Sequence, residues 1–146
     1  MKIETLEIKG FVCLHNEDVF LEEKKIDEDY YPKVESIGEI VAEHFSKLSK
    51  PVTVSFSDWT RGRFVAYQDV FCRYFVSEDK TTWNESQEEQ IKSLAGAVDT
   101  EHRQGGYNEY TITESWTELF VGGHDLRNEL KSFEGKYVII RIDYKI

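Results

Sequence analysis

Trp59, Arg61, Arg63, Tyr67 and Arg73 form the grouping in this chain best suited by residue type to recognition chemistry. Two arginines flank Gly62 beside a tryptophan, in a polar stretch, Asp58 to Arg63, that reads as a loop. Guanidinium forks bind phosphate or carboxylate through paired N–H donors, and an aromatic face stacks a base or another planar group. These five residues are therefore the candidate site for a nucleotide or other small anion. The competing reading is an ion-paired loop that offsets nearby acids. A third is a protein contact, since Trp, Tyr and Arg dominate binding energy at interfaces.

A second grouping is acidic. Glu22, Glu23, Asp27, Glu28 and Asp29 surround Lys24 and Lys25 and lead into Tyr30-Tyr31. As a partner-binding surface, Glu22, Glu23, Asp27 and Asp29 would steer a basic protein while Tyr30 and Tyr31 supply the anchor. A solvated loop is the plainer account of such a charge run. Near the other end, Gly122-Gly123 precedes a short helix, a context that suits anions. There is no G-x-G-x-x-G and no Gly-Lys-Ser/Thr, and Asp125 stands where a phosphate would sit, so Asp125 is expected to cap the helix. His124-Asp125 is also similar to the dipeptide of the metal phosphohydrolases. That family is all-helical and needs further ligands, whereas only His15, His44 and His102 remain here. A hydrolase built on His124 and Asp125 is the weakest of three functional readings.

Metal and nucleophile signals are thin. Cys13 and Cys72 sit in apolar runs, as buried thiols do, and the histidines show no H-x-x-x-H spacing. No metal and no cofactor is expected. His44 lies at the margin of an apolar stripe and is expected to be packed rather than catalytic.

The elements that must position these residues follow from periodicity. Lys2 to Leu14 alternates as a long strand with Gly10 as a bulge, and Val19 to Leu21 is a short return strand. Val34, Ile37, Val41, Phe45 and Leu48 form a helical stripe over about residues 33–48, between Pro32 and Pro51, with Glu35, Glu39 and Glu43 outside. Val52 to Ser57 alternates cleanly, and Phe64 to Val76 is extended with aromatics on both faces. A helix is expected from Asn84 or Ser86 to Val98, on Ile91, Leu94 and Val98. Asp99 to Gly106 reads as a loop, Tyr107 to Trp116 as a strand with a bulge or bend near Thr117, Leu126 to Phe133 as a short helix, and Tyr137 to Tyr144 as the most strand-like run. The expected fold is α+β: a mostly antiparallel, bent sheet of about five to seven strands, one long helix packed across it, and two shorter helices.

Composition bounds the rest. A chain of 146 residues, 40% apolar and 14% aromatic, is expected to form one domain, 1–146, with a real core. With 28 acidic against 18 basic residues, its net charge of −10 argues against direct binding to nucleic-acid phosphates or anionic lipid. No run approaches a membrane span and the N-terminus is unlike a signal peptide, so a cytoplasmic location is expected. The leading functional expectation is a small acidic interaction protein, not an enzyme, that binds and blocks a protein partner with a basic surface. Its size, charge and aromatic content are similar to those of small immunity proteins, antitoxins and phage-encoded inhibitors; the similarity is one of composition alone. The second expectation is the small-anion binder built on Arg61, Arg63 and Arg73. If the C-terminal strand Tyr137 to Ile146 is an edge, it offers strand pairing into a homodimer.

Overall fold

Alternating apolar and polar residues fold into a strand when one side is buried, and most of this chain consists of such runs. A computed structural model describes the backbone of residues 2–26, 29–48, 52–57, 60–77, 91–105 and 114–146, with side chains described there except at 52–57, 60–66, 68–69, 91, 103–105 and 114–115. Asp27, Trp59, the expected helix start at 84–90 and the expected strand at 107–113 lie outside the described residues. The elements are β1 (Ile3–His15), β2 (Asp18–Glu22), α1 (Ile37–Ser46), β3 (Val52–Ser57), β4 (Thr60–Ser77), β5 (Ile91–Gly105), β6 (Glu114–Val121), β7 (His124–Asp125), α2 (Leu126–Lys131) and β8 (Tyr137–Lys145).

The eight strands form one antiparallel sheet in the order β2-β1-β8-β4-β5-β6-β7, with β3 paired to the first part of β4. This corrects the α+β expectation. Among the described residues only two helices accompany the sheet, of ten and six residues, so the fold is mostly sheet and has neither a long helix nor a third one. α1 starts only after Ser36, and Val34 and Leu48 are exposed beyond its ends. The expected helix ending at Val98 is strand β5 from Ile91 onward. Leu94 and Val98 are four residues apart, which suits one helical face, but four is also a multiple of the strand period. In β5, Leu94 pairs with Cys72 and Val98 with Tyr67. The same strand continues through the expected loop at Asp99 to Gly105, and β4 begins inside the expected loop at Thr60.

Register also relocates the bulges. β1 pairs without interruption from Ile3 to Phe11 against β8, and β6 without interruption against β5, so neither Gly10 nor Thr117 marks one. A register shift falls instead between Tyr67 and Val70 of β4. β8 lies between β1 and β4, in the interior of the sheet, which removes the edge on which a β8-mediated dimer would depend.

α1 packs on the face of the sheet carrying Val12, Val19, Val98, Leu119, Ile140 and Ile142, and its own Ile37, Val41 and Phe45 are fully buried there. Ser36 caps it: the Ser36 hydroxyl accepts from the Glu39 amide at 3.2 Å and donates to the Glu39 carboxylate at 3.3 Å. Gly38 sets how closely α1 approaches β6, because a Cβ there would lie 2.6 Å from the Thr117 carbonyl oxygen. Gly38→Ala is expected to cost about 1–3 kcal/mol by pushing helix and strand apart. Urea unfolding checks this, and an unchanged midpoint would contradict the close contact.

Opposite edges of the sheet approach each other beside α1. The β1–β2 hairpin turns through Asn16 and Glu17, both at positive φ (46° and 69°). Buried Arg127 of α2 clasps this turn, donating to the Glu17 carbonyl at 3.1 Å and to the Asp18 carboxylate at 2.8 Å. Asp18 in turn accepts from the Thr117 amide of β6 at 3.4 Å. Burial pushes the Asp18 carboxyl above its ordinary range even though Arg127 and the Thr117 amide pull it down.

Candidate functional site

Two concave features flank the segment that joins β2 to α1. The first is a cleft of about 360 Å³ between α1 and the β5–β6 pair, lined by Glu35, Glu39, Glu43, Ser46, His102 and Thr117. Spacing of four residues stacks the three carboxylates along one side of α1 and its N-terminal approach. His102 and Thr117 face each other in the β5–β6 register, and the imidazole Nδ1 and the threonine hydroxyl share a hydrogen bond of 2.8 Å. Glu43, through a shared hydrogen bond and its charge, pushes the Glu35 carboxyl up, with lesser help from burial and Glu39. The described lining of this cleft contains no lysine or arginine. Among the described residues it is therefore a crowded acidic surface, and a cation placed in it would relieve the repulsion.

The second feature is a groove of about 880 Å³ formed by residues between the end of β2 and α1, lined by Glu22, Ile26, Asp29, Tyr30, Tyr31 and Val34, with lysines 24, 25 and 33 and Glu23 also bordering it. This is the expected partner-binding segment, and its geometry differs from a uniform acidic face. Glu22 is buried at 6% exposure, Glu23 and Asp29 are exposed, Tyr30 is half-buried and Tyr31 is 79% exposed. Glu23 and Asp29 are met at the rim by three lysines, so the rim is mixed in charge. Aromatic rings gather around it: His15 lies 5.4 Å from Tyr31 and 6.5 Å from Tyr30, and Phe20 lies 5.9 Å from Tyr30.

The expected anion site is not assembled among the described side chains. Arg61 and Arg63 lie in β4 rather than a loop, their Cα atoms paired with Gln104 and His102. Tyr67 packs 5.0 Å from Phe45 and donates its hydroxyl to the Lys145 carbonyl. Arg73, beyond the β4 bulge, pairs with Asp143 at 3.6 Å and lies over the Phe71 ring. Because the bulge reverses which face successive residues occupy, Tyr67 and Arg73 stand on opposite sides of the sheet and do not converge.

The two cysteine thiols are held in unreactive forms. Burial, reinforced by Glu22 and Glu134, pushes the Cys13 thiol up to about 11. Burial, reinforced by Glu129 and Asp143, pushes Cys72 up to about 12, so both stay protonated near neutrality. His124 is exposed and pairs in register with Val121, while Asp125 caps α2 by accepting from the Asn128 amide at 3.2 Å. Among the described residues no group of three His, Cys, Asp or Glu side chains is arranged to hold a metal ion. No described helix is long and apolar enough to cross a membrane.

His44 is packed, sharing a 2.7 Å hydrogen bond with the Tyr144 hydroxyl. Burial first, then the charge of Lys47, lowers its pKa below 6.5, against a smaller opposing pull from Glu4. Below about 6.5 the unfolded chain thus binds more protons at this position than the folded one. The His44 contribution to stability is full above that pH and declines as pH falls toward its folded value. An NMR titration of the His44 ring is expected to give a midpoint below 6.5, and a midpoint above it would contradict the burial argument.

The acidic cleft was only half visible in the sequence, where Glu35, Glu39 and Glu43 recur on the outer helix face. Their meeting with His102 and Thr117 depends on pairing between distant strands. Compared with known proteins, the chain matches no family model, and no curated protein or solved structure resembles it significantly.

Proposed function

We propose that this chain is an interaction protein that binds, and thereby blocks, a macromolecular partner through a basic surface of that partner. The observation that carries the reading is the cleft along α1: three carboxylates crowded closely enough that Glu43, with lesser help from burial and Glu39, pushes the Glu35 carboxyl up, with no cation in the described lining. On a chain of net charge −10, such a cleft attracts and orients a positively charged surface over distances near a Debye length. Protonated, buried thiols and a histidine locked to Tyr144 support a role in binding rather than in chemistry. Two buried free cysteines also support a reducing, cytosolic setting.

The test is the affinity of the captured partner, by calorimetry, for the native chain and for Glu35→Gln/Glu43→Gln. Glu39 is left in place because it completes the α1 cap. The double variant is expected to bind about tenfold or more weakly, with a shallower dependence on salt. Equal affinity and an equal salt slope would overturn the assignment of the cleft.

A further inference from the structure

Each strand of a sheet carries two rows of backbone N–H and C=O groups, and a row without a neighbouring strand invites another chain. The two ends of this sheet's path close on each other. Phe20 of β2 is bridged to Ser36, and the Thr117 amide of β6 reaches the Asp18 carboxylate at 3.4 Å. β3 is placed differently. It lies along Thr60 to Phe64 of β4, beyond the stretch from Phe71 to Ser77 that β8 covers. Among the described residues β3 pairs with β4 alone, and its second row has no strand partner there. The pairing is regular from Val52 to Ser55, and its irregularity, between Ser55 and Ser57, falls at the hairpin end.

The residues of β3 lack the devices that keep an edge from pairing. Val52-Thr53-Val54-Ser55-Phe56-Ser57 holds no charged residue, on a chain of which 32% is charged, and no proline. The net charge of −10 drives copies of the chain apart, and this run adds nothing to that repulsion. Its alternation is also self-complementary. Antiparallel pairing about a two-fold axis perpendicular to the sheet keeps each residue on its own face, so positions of the same parity come opposite each other. With Val54 opposite its own copy, Val52 falls opposite Phe56 and Thr53 opposite Ser55. Aromatic with β-branched and hydroxyl with hydroxyl are favourable cross-strand pairs. In the sequence, Lys50 and Asp58, which lie outside the described residues, flank Val54 at equal spacing and carry opposite signs.

We infer that β3 is an interaction edge whose occupant is β3 of a second copy of this chain, the two sheets joining antiparallel across a two-fold axis. This goes beyond the partner reading above and stands or falls independently of it. A second copy fits this edge because it repeats the same parity of apolar and hydroxyl positions and brings no charge to the run. Salt separates the two interactions. Screening weakens the pull of the acidic cleft on a basic partner, whereas it favours contact between two chains of charge −10.

The experiment needs no other protein. Sedimentation equilibrium of the native chain over a concentration series is expected to show a reversible monomer–dimer equilibrium that shifts toward dimer as salt rises. Thr53→Lys/Ser55→Lys sets like charges opposite each other, and Thr53→Glu/Ser55→Glu does the same with the other sign. Each double variant is expected to dimerise about tenfold more weakly, and an equimolar mixture of the two is expected to regain the dimer. A merely structural role for these positions would not give that rescue. Should either variant fail to fold, amide hydrogen exchange of the native chain decides: exchange within Val52 to Ser55 is expected to slow as concentration rises. A native chain that stays monomeric throughout, a dimer untouched by both variants, a mixture that stays monomeric, or exchange that ignores concentration would each overturn the inference. So would a monomeric chain whose β3 variants lose a captured partner, which gives the edge to that partner's strand instead.

Discussion

Arg127→Ala is expected to destabilise the chain by about 3–5 kcal/mol, among the largest effects of any single substitution here. Arg127 is 7% exposed and Asp18 is 4% exposed, so removing the guanidinium leaves a buried carboxylate with only the distant Thr117 amide to satisfy it. The same guanidinium holds the Glu17 carbonyl in a turn whose two central residues are both at positive φ without being glycine. Loss of Arg127 thus releases the hairpin and separates β2 from β6. The pair itself is not a source of net stability: burial has already pushed the Asp18 carboxyl up despite its partner. For a carboxyl raised in the folded state, folding binds extra protons, and its contribution falls as pH climbs through the folded value. The cost of Arg127→Ala is therefore smaller at acidic pH, once Asp18 has taken up a proton, than at neutral pH. Chemical denaturation at the two pH values checks both statements. A cost under about 1 kcal/mol at neutral pH would mean that the clasp does not join the sheet edges.

Phe45→Ala is expected to cost a similar amount, about 3–5 kcal/mol, for a different reason. Phe45 is fully buried in α1, with its ring 5.0 Å from Tyr67 and 5.1 Å from Tyr144. The tyrosines are fixed from outside, Tyr67 by the Lys145 carbonyl and Tyr144 by His44, so they cannot collapse into the space left behind. A cavity therefore remains, and the penalty includes both lost transfer energy and lost contacts. Phe45→Leu, which fills most of the volume, is expected to cost less than half as much. If alanine and leucine cost the same, the tyrosine frame is more pliable than its hydrogen bonds imply.

How much of this was legible in the sequence depends on which period a segment obeys. β1 and β3 alternate, β2 and β8 are short runs rich in apolar residues, and all four are found close to where those runs put them. The helical stripe at Ile37, Val41 and Phe45 is also real, but its outer members Val34 and Leu48 are exposed, because the helix starts after Ser36 and ends at Ser46, inside the stripe at both ends. β5 misled because Leu94 and Val98 satisfy both periods, and only pairing with Cys72 and Tyr67 decides between them. Residue type marked Glu22 as one of several surface acids. Its burial follows from β2 passing under the Tyr30 segment, a tertiary event that local charge density does not encode. The same holds for Asp18 and Arg127, 109 positions apart and joined at 2.8 Å.

The most direct measurement of the central claim is affinity capture of the tagged chain from lysate of its source cells, at low and at moderate salt, read by mass spectrometry against the Glu35→Gln/Glu43→Gln variant. The account predicts one stoichiometric partner with a basic surface, released as salt rises and depleted from the variant. A partner retained at both salt levels and by both baits, or no specific partner at all, would contradict it.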